Sequence, residues 1–123
     1  MHDNVYVMYW GTVELEPEVD EWIDSLDDDS KETVVFYVDL LAERGVLLDE
    51  PYTRQLDGKL RELRFHLQRG QVRITYWIAP GRRIILLTVF RKQQMREQRE
   101  LARARRAMQR CIAEGHTVDE EVS

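Results

Sequence analysis

The spacing of apolar residues changes from a helical to a strand period at Pro51. Before it, Val19, Trp22, Ile23 and Leu26 recur at i, i+3, i+4 and i+7, which is one face of a helix. Val35, Val38, Leu41 and Ala42 predict the inner face of a second helix. After Pro51 the period is two. Leu63, Phe65 and Leu67 alternate with Glu62, Arg64 and His66, and Val72, Ile74, Tyr76 and Ile78 alternate with Arg73, Thr75 and Trp77. A pattern of one period cannot bury its apolar side in the other conformation, so a helical hairpin is followed by a sheet.

Punctuation residues set the expected boundaries. Val5 to Trp10 is rich in β-formers and ends at Gly11, predicting a first strand. Pro17 suits the first turn of a helix, with Glu16, Glu18, Asp20 and Glu21 near the positive end of its dipole. Asp29 with Glu32 predicts a capping box for the second helix, and Gly45 its end. Gln68-Arg69-Gly70 and Pro80-Gly81-Arg82 are short turns, so the strands Leu60–Leu67, Gln71–Ala79 and Arg83–Phe90 make an antiparallel meander. The last is apolar on both faces and is expected to be central and covered.

A final helix is predicted from Gln93 to about Ala113, with Leu101, Ala104, Met108 and Cys111 as its apolar stripe and Gly115 closing it. The expectation is an α+β fold. An N-terminal strand and helical hairpin pack on an antiparallel sheet of about four strands, and a C-terminal helix follows. Residues 1–115 are expected to form a single domain, and 116–123 a flexible acidic tail.

Charge is segregated along the chain. Residues 1–50 hold fifteen acidic and two basic side chains, residues 51–110 sixteen basic and four acidic, against a net charge of -5 for the whole. Phosphate binding depends on the local field, so the basic segment keeps nucleic acid open as a partner despite the acidic total. Strand alternation puts Arg64 and Arg73 on one face of neighbouring antiparallel strands, where two guanidiniums could clamp one phosphate.

Other classes are set aside. No apolar run reaches the roughly 18–20 residues of a membrane span, so no membrane partner is expected. The start carries no basic region followed by an apolar stretch, so no signal peptide is expected. Cys111 is the only cysteine, which fits a reducing cytoplasm and makes no zinc framework; its helix stripe predicts burial. There is no Walker loop, dinucleotide fingerprint or metal-ligand spacing, and neither cofactor nor metal is expected.

Three segments carry a resemblance. Leu56-Asp57-Gly58-Lys59-Leu60-Arg61-Glu62-Leu63-Arg64, Val72-Arg73-Ile74-Thr75-Tyr76 and Ile84-Ile85-Leu86-Leu87-Thr88-Val89-Phe90-Arg91-Lys92, in this order and topology, resemble the RelE/ParE toxin superfamily. Within it they are most similar to the HigB-like, phage-derived branch. The resemblance implies the toxin of a type II toxin–antitoxin system, a ribosome-dependent mRNA endoribonuclease needing no metal. It implies a cognate antitoxin as partner, a helix-turn-helix DNA-binding protein, and the ribosome with its mRNA. It implies Arg64, Arg73 and Lys92 as catalytic residues, with Lys59, Arg61 and Arg91 beside them on the RNA. The ParE branch shares the fold and is implicated in gyrase inhibition, so that reading stays open, as does a non-catalytic binding module.

Metal-free RNA cleavage needs an aligned 2′-hydroxyl, stabilised phosphorane charge and a proton for the 5′-oxygen. His66, the only histidine in the predicted sheet, is the candidate acid or base. Trp77 shares the Arg73 face, where it either stacks on a base or packs beneath the last helix. Glu62 either acts as a base or orients an arginine. Arg96, Arg99 and the other helical arginines read as an ordinary charged helix face or, under the nuclease reading, as contacts to RNA.

Overall fold

The computed structural model describes residues 9–93 and 97–115, and the expected acidic tail, 116–123, lies outside them. Along the chain run β1 (Thr12–Leu15), α1 (Pro17–Asp24), α2 (Asp28–Arg44), a 3-10 turn (Gly45–Leu47), β2 (Thr53–Asp57), β3 (Leu60–Leu67), β4 (Gly70–Ala79), β5 (Arg83–Arg91) and α3 (Glu97–Glu114). The strands form one sheet in the order β1-β5-β4-β3-β2. β2 to β5 are antiparallel neighbours, and β1 joins β5 in parallel. The α+β class is borne out, with a mixed sheet of five strands in place of an antiparallel one of about four. The addition is β2, an edge strand whose Arg54, Gln55 and Asp57 are exposed. An edge strand with both faces largely wet has no apolar alternation to announce it.

Local boundaries depart from expectation in four places. Tyr9 and Trp10 are not in a strand, and β1 begins only after Gly11; Val5 to Met8 lie outside the described residues. The cap of α2 is Asp27, whose side chain accepts from the Ser30 backbone N–H at 2.7 Å, so Asp29 falls inside the helix. Val34 rather than Val35 faces inward: Val34 is fully buried and Val35 is 50% exposed. Gln93 lies before α3, not within it, and 94–96 are outside the described residues. Gly45 ends α2 as expected, with φ of 49°; a Cβ there would meet the Trp10 ring.

The two sheet faces are covered differently. Leu63 and Phe65 of β3, Val72, Ile74 and Tyr76 of β4, and Ile84 and Leu86 of β5 pack with Val19, Val34 and Leu41 of the hairpin. On the other face, Leu60, Trp77, Ala79, Ile85 and Leu87 pack under Ala104, Ala107 and Cys111 of α3. A register shift between Thr75 and Tyr76 leaves Leu87 as the extra residue of β5 in a bulge. It lets Leu87 serve the α3 core while Thr88 and Phe90 share the Arg73 face. Ion pairs fasten the edges: Arg83 with Glu14 across β1 and β5, Arg103 with Glu18 of α1 and Glu100, and Arg105 with Asp57 of β2. Among the described residues, no helix is long and apolar enough to cross a membrane.

Candidate active site

α3 covers only one end of its sheet face. Across the rest, strand register sets out three rows of side chains. Arg64 of β3 is directly opposite Arg73 of β4, and Arg73 is opposite Phe90 of β5. One step outward, His66 is opposite Gln71, whose carbonyl accepts from the Lys92 backbone N–H at 2.9 Å. One step inward lie Glu62, Thr75 and Thr88. This face points away from the acidic hairpin, because Leu63, Phe65, Val72 and Ile74, of opposite parity, pack against the helices.

Glu62 sits between the two arginines. Its Oε2 is 3.6 Å from the Arg64 Nε and 3.5 Å from the Arg73 Nε, and its side chain is almost wholly buried. Burial pushes its carboxyl up from the ordinary value, against the pull of the Arg73, Arg64 and Arg54 guanidiniums. Arg73 is only 3% exposed. Its Nη2 donates to the Gln71 Oε1 at 2.8 Å, and its Nη1 to the Val72 carbonyl at 3.3 Å. Burial lowers its guanidinium, opposed by Glu62. Arg64 is the more accessible partner, its side chain 24% exposed. Two arginines around one carboxylate leave a net positive charge, which is an anion site in electrostatic terms.

Two open grooves adjoin the arginine row. One, of about 360 Å³, is lined by Tyr37, Tyr52, Arg64, His66, Gln71 and Arg73. The other, of about 320 Å³, lies toward α3 and is lined by Arg54, Leu56, Glu62, Thr75, Phe90 and Leu101 among others. The Thr75 and Thr88 hydroxyls satisfy each other at 2.6 Å. Among the described residues, no group of three or more His, Cys, Asp or Glu could hold a metal ion.

Of the residues singled out from sequence, Arg64, Arg73 and His66 gather on this face; Lys92 follows the end of β5 at its edge, its backbone bonded to Gln71, and both His66 and Lys92 are exposed. Three do not belong to it. Arg61 has the opposite parity and is spent on structure: its Nε and Nη2 donate to the Tyr76 hydroxyl and the Thr53 Oγ1, both at 3.3 Å. Arg91 is opposite Val72 and lines a groove with Leu26, Asp27 and Ser30 of the hairpin side. Trp77 is 5% exposed beneath α3 and offers no face to a base. Lys59 is exposed in the β2–β3 turn, about 16 Å along the strand from Arg64. Arg99 is exposed in the first turn of α3, and Arg96 is outside the described residues. Sequence reasoning missed Arg54, Gln71 and Phe90. Gln71 and Phe90 were legible as the positions pairing with His66 and Arg73 once register was known; Arg54 was hidden with β2.

The fold of this chain is that of RelE. Over 84% of its length it superposes on 98% of a mutant E. coli toxin RelE in the free state, with a TM-score of 0.56 and 12% identity. A chain of the intact E. coli RelBE toxin–antitoxin complex gives 0.52 and 9%, over 71% of this chain and 100% of that one. The RelBE2 toxin–antitoxin complex of Mycobacterium tuberculosis gives 0.50 and 17%, over 68% and 98%. No curated protein matches the chain. Residues 21–110 match the family described as phage-derived protein Gp49-like, and the chain belongs to that family. The expected phage-derived family and the expected RelE-like fold are thereby borne out.

Proposed function

We propose that this protein is the toxin of a type II toxin–antitoxin pair and that it cuts mRNA on the ribosome without a metal ion. The observation that carries this reading is the convergence of Arg64, Arg73 and His66 on one sheet face, in adjacent rows, on the side away from the acidic hairpin, with Lys92 at the edge of that face. Arg64 and Lys92 are the cations that reach the phosphodiester. Arg73, buried behind Arg64, adds its field and helps to hold the Glu62 carboxylate. The 2′-oxygen attacks the adjacent phosphorus and loses its proton, the bond to the 5′-oxygen breaks, and that oxygen gains a proton. The products are a 2′,3′-cyclic phosphate and a 5′-hydroxyl end. The cations stabilise the charge on the phosphorane, and His66 at the rim moves a proton.

The RelBE complexes that share the fold support a cognate antitoxin as the partner, here a small helix-turn-helix protein. Induced expression with mapping of mRNA 5′ ends tests the function. Growth arrest with codon-phased cuts that require ongoing translation is expected. A DNA-damage response with intact mRNA would identify a gyrase inhibitor instead, and harmless overexpression a binding module.

A further inference from the structure

The row that begins with Arg64 and Arg73 ends in an aromatic ring. Phe90 is directly opposite Arg73 in the β4–β5 register, so Arg64, Arg73 and Phe90 succeed one another at a strand spacing of about 5 Å. Phe90 is only partly buried, although its strand is otherwise covered for six consecutive residues from Arg83 to Thr88. It borders the groove toward α3, which is lined by the apolar Leu56 and Leu101 and by the polar Gln55, Glu62, Glu97 and Gln98. An open groove of mixed lining, with a ring and amide groups, next to a cationic row matches a nucleotide whose phosphate stays on the guanidinium row, clear of the two carboxylates, with its base on the ring and the amides at the base edge.

We propose that Phe90 is the platform on which a nucleobase next to the scissile phosphodiester stacks, and that the Leu56–Leu101 groove is the base subsite that sets cleavage preference. The inference rests on the nuclease reading for its cleavage consequence, but the binding step stands apart from it. Trp77, the aromatic that alternation alone suggested, is sealed under α3, whereas Phe90 is only partly buried and lines an open groove. Stacking is tolerant of base identity, so discrimination falls to Gln55 and Gln98 at the rim.

The test uses the purified full chain and a short single-stranded RNA carrying 2-aminopurine, whose fluorescence is quenched on stacking. Wild type should quench it. Phe90→Leu, which keeps apolar bulk and loses the ring, should weaken binding by about 5- to 100-fold and abolish the quench, and Phe90→Tyr should restore both. A melting curve for Phe90→Leu close to that of wild type excludes misfolding. If wild type fails to quench, or Phe90→Leu quenches as wild type does, the proposal is overturned. On translating ribosomes, Phe90→Leu should lower cleavage at all codons alike, and Gln98→Ala should shift which codons are cut. Wild type that cuts nothing there sinks the nuclease reading, while cutting with an unchanged pattern in Gln98→Ala sinks only the base subsite.

Discussion

Arg64 and Arg73 face each other across β3 and β4, and both turn their Nε toward the same oxygen of the buried Glu62, at 3.6 and 3.5 Å. Two guanidiniums in adjacent strands would repel. The carboxylate between them makes the pairing stable and leaves one positive charge in excess. Burial nonetheless holds the Glu62 carboxyl above its ordinary value in spite of the two arginines, which couples the stability of the sheet to the charge of the site.

Arg73 is therefore a structural as well as an electrostatic residue. Arg73→Ala leaves Glu62 buried beside one cation and should cost about 3 kcal/mol in denaturant unfolding. Combining Arg73→Met with Glu62→Gln should cost less than the sum of the two single changes, because no buried carboxylate is left short of a cation and Arg64 still reaches solvent. Additivity in that cycle would show that the pair is not coupled.

The pH dependence follows from the direction of the Glu62 shift. Its carboxyl is raised above the ordinary value of 4.5 by burial. The folded state thus holds this proton more tightly than the unfolded chain does. The associated stability is fully present below about pH 4.5 and is lost as pH rises through the folded-state value. Glu62→Gln should equal or exceed wild type in stability at neutral pH, with the gap closing as pH falls toward 4.5. Urea titrations at several pH values measure it, and a gap that widens on acidification contradicts the assignment.

Trp77 belongs to the core beneath α3, together with Ala104, Ala107 and Cys111. Trp77→Ala should cost about 3–5 kcal/mol by leaving a cavity, while Trp77→Phe should retain the fold and any cleavage activity. Thermal unfolding and an activity assay on the same samples distinguish packing from a direct role in RNA binding.

How much of this was legible in the sequence varies with the physics of each element. β3 and β4 announced themselves because each sets an apolar side against the hairpin and a more polar side opposite, while β5 was legible from being apolar on both faces. Arg64 and Arg73 were assigned to one face by parity alone, and the register agrees. Parity equally excludes Arg61 and Arg91, but proximity to the family signatures outweighed it. β2 was silent because an edge strand need not alternate. The cap of α2 was misassigned because Asp27, Asp28 and Asp29 are chemically equivalent in sequence, and only geometry selects Asp27. Burial of Arg73 was likewise invisible, since its partners Gln71 and Glu62 meet it only once β3 and β4 are in register.

The most direct measurement is cleavage of a defined mRNA by the purified protein on translating ribosomes, comparing wild type with Arg64→Ala, the accessible member of the arginine pair. The account predicts codon-phased cuts ending in 5′-hydroxyls for wild type, and a rate reduced about 10²- to 10³-fold for Arg64→Ala with the fold retained. Cuts at an undiminished rate in Arg64→Ala would contradict it.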